Sequence, residues 1–234
     1  MQPQKQEGKS NMSERVVEIL LNSFFHILIP GLTYTLPLTL VSFAIGLVIA
    51  LLTALFQIAD IKILKSIAKL YVWIFRGTPL LVQIFIIFYG LPNAGIILEP
   101  LPAAIIAFSL NVGAYASETL RASIMSIPRG QLAAGYCVGM SYTQTMRRIV
   151  LPQAFKVAFP PLFNSFIGLL KDTSLAANIT VTEMFMVTQR IAAKTYEPLA
   201  LYCEVALIYL LFCTILTMIQ TWGEKKLKAG QGEK

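Results

Sequence analysis

The chain has 234 residues, of which 56% are hydrophobic and only 13% charged. Its mean hydropathy is +0.68, so it lies outside the range of soluble domains and among integral membrane proteins. The formal net charge of +7 does not require nucleic acid, because the cations lie beside apolar stretches, where the bias that orients membrane segments accounts for them. Cys137, Cys203 and Cys213 are scattered and His26 is the single histidine, which excludes a disulfide framework and a metal cluster; the cysteines read as small apolar fillers.

At roughly 20 residues per apolar helix the chain has room for about five or six spans and little else. Met1 to Arg15 is polar, and the apolar stretch after it is too long for a signal peptide and lacks a small-residue cleavage pattern. Ile19 to Ala59 contains no Asp, Glu, Lys or Arg, and Pro30-Gly31 punctuates it. This predicts an interfacial helix up to residue 31 and a first span over about Leu32 to Ile58, with a six-span hairpin as the alternative. Lys62, Lys65 and Lys69 recur near helical spacing over Lys62 to Phe75, predicting a lead-in helix along the inner surface before a second span at about Thr78 to Leu91. Further spans are predicted at about Leu101 to Ile124, Pro152 to Leu170 and Leu199 to Trp222, each bounded by Pro, Gly or charge.

Lys and Arg collect after the first span (Lys62, Lys65, Lys69, Arg76), after the third (Arg121, Arg129, Arg147, Arg148, Lys156) and in the tail (Lys225, Lys226, Lys228). Those regions are assigned to the cytoplasm, which puts the N-terminus outside. The polar stretch from Ser126 to Pro152 is then a cytoplasmic loop. In it Pro128 suits a first helical turn, Gly139 suits a helix stop, and Ser141 with Gln144 has capping-box spacing for a second short helix. The small face Ala133, Ala134 and Gly135 allows close approach of another surface, and Arg147 and Arg148 can meet carboxylates or lipid head groups.

Ala133-Ala134-Gly135, Gly139, Ile149, Leu151 and Pro152 resemble the cytoplasmic motif of ABC importer permeases, in which Glu-Ala-Ala, a glycine and Ile-x-Leu-Pro are similarly spaced. Ala133 stands where that motif has glutamate, so no carboxylate cap or salt link is implied there. Phe75 to Gln83, Ala114 to Arg121 and Leu169 to Leu175 resemble the polar amino-acid branch of that family, of the histidine, glutamine and cystine permease type. The resemblance implies an all-α polytopic protein of the type I importer fold, with about five spans in the transmembrane domain 32–228. A polar segment and interfacial helix (1–31) precede this domain, a coupling loop (126–151) lies within it and a polar tail (229–234) follows it. It also implies a multi-pass subunit of a bacterial cell membrane that forms the path for an amino acid. The implied partners are two ATP-binding subunits carrying ATP and Mg, a second permease subunit in a homo- or heterodimer, an extracellular substrate-binding protein and membrane lipid, with no nucleic acid.

This chain itself is expected to bind no cofactor or metal and not to be an enzyme. It contains no GxxxxGK[ST], GxSxG or HExxH. Gly8-Lys9-Ser10 looks like the end of a phosphate loop, but Pro3 occupies the first glycine position. The coupling residues implied are Gln131, Ala133, Ala134, Gly135, Gly139, Arg147, Arg148, Ile149, Leu151 and Pro152. The substrate path implied is Asn111, Asn164, Ser165, Gly168, Asp172 and Thr173. Glu118 and Arg121, three apart in one helix, are read as a structural pair. Pro160-Pro161 followed by Asn164, Ser165 and Gly168 can bend a helix and free carbonyls near the bilayer midplane. Because Ser165 is neutral, the substrate expected is a neutral or zwitterionic amino acid, such as L-cystine or glutamine, rather than a cationic one. The competing class is an ion-coupled secondary transporter of small polar solutes, which would more often show internal repeats and acids deep in its spans.

Overall fold

The computed structural model describes residues 4–59 and 61–229, and among these all regular structure is helical. The first three residues and the polar tail from 230 onward lie outside the described residues, as do the side chains of Gly8-Lys9-Ser10 and Lys228. Helix α1 (Gln4–Pro30) runs through a π turn (Gly31–Thr35) into α2 (Leu36–Ile58). The apolar part, Glu14–Ile58, is 45 residues, about 68 Å at 1.5 Å per residue. That is about twice the hydrocarbon thickness, so the rod projects beyond the bilayer. The break anticipated at Pro30-Gly31 is absent: Pro30 keeps helical angles, φ −58° and ψ −30°, and the chain widens after it instead of kinking away.

The widening follows a rule that recurs along the chain. π turns at Gly31–Thr35, Ile86–Gly90 and Met146–Val150 are each followed, two residues on, by a proline: Pro37, Pro92 and Pro152. Leu36 N–H reaches back five residues to Gly31, and Leu151 N–H to Met146. Proline lacks an N–H and its ring crowds the carbonyl four residues back; one residue of extra girth relieves both problems without ending the helix. For this reason Pro152 does not begin a new helix. Here α7 (Tyr142–Thr145), the π turn and α8 (Leu151–Asp172) form one helical run, and the second short helix anticipated in the loop is the foot of the fourth span.

Helix α3 (Lys62–Gly77) is followed by α4 (Leu80–Phe85), the second π turn and a 3₁₀ turn (Leu91–Ala94), with a 107° bend between α3 and the rest. Then come α5 (Pro100–Met125), α6 (Arg129–Cys137), the α7–α8 run, a 3₁₀ turn (Thr173–Ile179), α9 (Met184–Thr195) and α10 (Pro198–Ala229). Among the described residues, three helices are long and apolar enough to cross a membrane: Glu14–Ile58, Pro100–Met125 and Pro198–Leu227. The α3–α4 pair, bent by 107°, passes the same length and composition test only when its two helices are taken together. Helix α8, about 33 Å long, has the length of a span; its charged and polar residues lower its hydropathy.

One core joins α2, α4, α5 and α8 around Ile84, Phe108, Leu162 and Leu169; the other joins α1, α9 and α10 around Ile27, Met184, Leu201 and Ile208. The α2–α5 contact is close because it is built from small residues. A Cβ on Gly46 would lie 2.6 Å from Val112, and one on Gly113 2.6 Å from Ile49. In lipid, where apolar side chains gain nothing from leaving water, this backbone proximity supplies the packing that holds helices together.

Candidate functional site

The loop after α5 is built by local chemistry. α6 ends in a Schellman arrangement: Met140 N–H donates to Gly135 O at 3.0 Å and Gly139 N–H to Tyr136 O at 3.0 Å, with Gly139 at φ +78°. Ser141 then caps α7. Its hydroxyl accepts from Gln144 N–H at 3.3 Å, and Gln144 Oε1 accepts from Ser141 N–H at 2.9 Å.

Within that corner the small residues have different jobs. Ala133 and Ala134 are exposed, whereas Gly135 is buried. A Cβ on Gly135 would lie 2.5 Å from Thr145 Cγ2 and 2.6 Å from Thr145 Oγ1. Thr145 is itself fully buried, and its hydroxyl donates to Ser141 O at 3.0 Å. The close approach read from this triplet is thus made at Gly135 to the chain's own next helix, leaving the two alanines to face outward. Gln131 accepts a 3.4 Å hydrogen bond from Gln153, which also bonds Ile149 O at 3.1 Å, tying α6 to the foot of α8. Arg147, Arg148 and Pro152 are exposed; Ile149 and Leu151 are half-buried. Among the described residues neither arginine forms an ion pair.

Glu118 and Arg121 sit at the loop end of α5, with Arg121 Nη2 2.8 Å from Glu118 Oε2. Asn111, higher on α5, donates to Gln83 Oε1 at 3.0 Å. The Gln83 amide in turn donates to Phe75 O (2.8 Å), Thr78 O (3.1 Å) and Thr78 Oγ1 (2.9 Å). Gln83 is 5% exposed. A single buried amide therefore satisfies the carbonyls that the 107° bend frees, and Asn111 anchors it to α5. No role was read for Gln83 from the sequence, although it closes the Phe75 to Gln83 stretch; the signal was Thr78-Pro79, a helix stop whose carbonyls need a donor.

Along α8, Pro161, Asn164 and Asp172 are exposed, Ser165 and Gly168 half-buried. A Cβ on Gly168 would meet nothing within 4 Å, so this face opens away from both cores. The Ser165 hydroxyl donates to Pro161 O at 3.0 Å, and Gln220 Nε2 lies 3.5 Å from Pro160 O. Helix α8 carries both prolines without a break. Thr173 is elsewhere: fully buried, it donates to Leu170 O at 2.7 Å and shares no surface with Asn164.

A second polar centre, unread in the sequence, lies in the link between α8 and α10. Glu183 is fully buried and caps α9 through Phe185 N–H (2.8 Å) and Met186 N–H (2.7 Å), while Tyr209 donates to it at 3.3 Å. Burial pushes its carboxyl up to about 7, against the pull of those donors. Its neighbour Met184 N–H donates to Thr35 Oγ1 at 3.3 Å, fastening this link to the long first helix.

Residues 46–229 match the family described as binding-protein-dependent transport system inner membrane component, and the chain belongs to that family. Within it the chain is an amino-acid ABC transporter permease. It is 49% identical over 211 residues to the L-cystine transport system permease protein TcyB of Bacillus subtilis (strain 168), covering 90% of each chain. It is 41% identical to the probable amino-acid ABC transporter permease protein YckA of the same organism, covering 89% of this chain and 92% of that one. The fold matches a chain of an amino acid ABC transporter crystallised with histidines at a TM-score of 0.82 and 32% identity, covering 88% of this chain and 96% of that one. The type I permease fold read from the sequence is therefore the fold observed.

Proposed function

We propose that this permease forms the path by which an ATP-driven importer carries a neutral or zwitterionic amino acid, L-cystine before glutamine, into a bacterial cell. The observation that carries the substrate class is the open face of α8, where Asn164, Ser165 and Gly168 offer neutral polar groups and space, and the one carboxylate of that face, Asp172, stands two turns beyond Ser165 next to Lys171. A cationic side chain beside Asn164 and Ser165 would be about 10 Å along the helix from that carboxylate, which Lys171 already adjoins. The 49% identity to an L-cystine permease protein supports the choice. Energy enters through separate ATP-binding subunits that hold ATP and Mg. They dock on the loop around exposed Ala133, Ala134, Arg147 and Arg148, while Gln131, Gly135, Gly139, Ile149, Leu151 and Pro152 hold the loop's shape. A second permease subunit covers the α8 face, and an extracellular binding protein delivers substrate. On this reading the chain itself performs no catalysis.

The N-terminus outside agrees with the basic groups. Lys65 and Lys69 share one cavity with Arg121, and Lys156 shares another with Glu224 and Leu227 near the end of α10. The basic residues that follow α2 and α5 thus lie toward the same end of the bundle as the last turns of α10, which carry Lys225 and Lys226, and the positive-inside bias favours the cytoplasm for that end. ATP binding drives the cycle only if it favours one membrane conformation over another. The test is uptake by proteoliposomes holding the permease, its co-purified ATPase and its binding protein. Cystine uptake that depends on ATP and is not competed by arginine is expected; preferential arginine uptake overturns the substrate class. Uptake driven by an ion gradient without ATP overturns the energy source.

A further inference from the structure

Pro160 and Pro161 have no N–H to give, so the carbonyls of Lys156 and Val157 lose the donors that a helix places four residues on, although α8 continues without a break. Both residues line a cavity of about 230 Å³ at the loop end of the bundle, bounded on the other side by Glu224 and Leu227 of α10. It is smaller than the roughly 300–1,000 Å³ of sites for drug-sized molecules, which suits it to a small metabolite. The two helices are close here: a Cβ on Gly223 would lie 2.8 Å from the Phe159 ring.

The polar groups around this cavity do not satisfy one another. Lys156 and Glu224, both half-buried, line it together, yet among the described residues they form no ion pair. Glu224 Oε1 accepts from Gln220 Nε2 at 2.9 Å. Gln153 also lines the cavity; its amide N–H groups go to Gln131 Oε1 at 3.4 Å and Ile149 O at 3.1 Å, which leaves its own oxygen as an acceptor. The acceptors are thus the Glu224 carboxylate, the Gln153 oxygen and the two helix carbonyls, and the one cation is Lys156. We propose that this cavity binds a neutral α-amino acid as its zwitterion, with the α-carboxylate at Lys156, the α-ammonium at Glu224 and the freed carbonyls, and an apolar side chain against Ile127, Phe159 and Leu227. A lone anion would leave Glu224 and the carbonyls unmatched, and a lone cation would leave Lys156 so; an amino acid carries both charges on one carbon and answers both. The site goes beyond the substrate path: neither Asn164, Ser165 nor Gly168 lines it, and Lys156 is eight residues, about 12 Å along the helix, nearer the loop than Asn164. Because Gln153 ties α6 to the foot of α8, a molecule held there lies against the loop between α5 and α8.

The test is binding of radiolabelled L-leucine to the full-length permease in detergent, without ATPase or binding protein, so that its outcome is read apart from the uptake that tests the transport reading. One saturable site per chain is expected. 4-Methylpentanoate and 3-methylbutylamine, which are leucine without its ammonium and leucine without its carboxylate, should each compete at least about 10-fold more weakly than leucine, because each lacks one charge-assisted contact. Lys156→Gln and Glu224→Gln should each weaken leucine by a similar factor. The exchange Lys156→Glu/Glu224→Lys should bind better than Lys156→Glu alone, and the control Lys225→Gln/Lys226→Gln should bind as the wild type does. Absence of saturable binding by the wild-type chain, or competition by either analogue equal to that of leucine, overturns the proposal, and neither result needs a variant to fold. So does full retention of leucine by both Gln variants; loss of binding from Ser165→Asp in that case would place the leucine on the open α8 face instead.

Discussion

Gly135→Ala isolates the corner that shapes the loop. The added methyl would lie 2.5 Å from Thr145 Cγ2 and 2.6 Å from Oγ1, and Thr145 has no room to withdraw because it is fully buried and hydrogen-bonded to Ser141 O. Overpacking of this kind costs about 1–3 kcal/mol. Against it, alanine recovers about 1 kcal/mol of helix propensity in α6. The net effect is a loss of up to about 2 kcal/mol, felt as separation of α6 from α7. Thr145→Ala alone should cost about 1–2 kcal/mol, through one hydrogen bond and a small cavity. In the double variant both clashing Thr145 atoms are gone and the nearest remaining approach is 3.1 Å, to Thr145 Cβ. The two losses should therefore fall short of additive by about 1 kcal/mol or more. Thermal unfolding of the purified permease gives the stability arm. Hydrogen exchange over 129–145 gives the local arm, and ATPase stimulation in proteoliposomes gives the functional one. Wild-type protection in Gly135→Ala, or a double variant as damaged as the sum of the singles, would refute the reasoning.

Gln83→Ala should destabilise by about 1–3 kcal/mol, because the carbonyls at the α3–α4 bend and the Asn111 amide lose their partner at once; adding Asn111→Ala should cost less than a second full loss, measured as melting temperature. Gly139→Ala should cost about 1–2 kcal/mol of loop stability from its φ of +78°, and Gly139→Asn less. Because a Cβ there meets nothing within 4 Å, equal damage from both would point to contact rather than backbone strain. The Glu183 carboxyl is raised from 4.5 to about 7, so the folded chain holds a proton that the unfolded chain releases between those values. Stability should fall as pH rises from about 4.5 to 7, and Glu183→Gln should flatten that slope in pH-dependent melting. Ser165→Asp should raise competition by arginine in cystine uptake; unchanged competition would remove Ser165 from the substrate path.

What local rules govern was legible from the residues. The capping box at Ser141 and Gln144, the glycine stop at Gly139, the lead-in helix from Lys62 and the span over Leu101 to Ile124 depend on side chains a few positions apart, and each is found. Proline was the weak signal. Pro30 and Pro152 were read as breaks, but a π turn lets a helix keep going past a proline, and whether it does depends on what packs alongside.

The sequence by itself determined the class of the protein, its membrane helices and the cap chemistry of its loop, because hydropathy and short-range hydrogen bonding are properties of neighbouring residues. Only the tertiary structure decided that Gly135 faces Thr145 rather than a partner. It alone buries Thr173 away from Asn164, makes Gln83 the brace of the bend and Glu183 the buried cap of α9, and brings Lys65 and Lys69 to Arg121 across a cavity. The Gly135, Gln83 and Lys65–Arg121 contacts join residues on different helices, and the register between helices is set by where small residues permit backbones to close, as Gly46 and Gly113 do between α2 and α5.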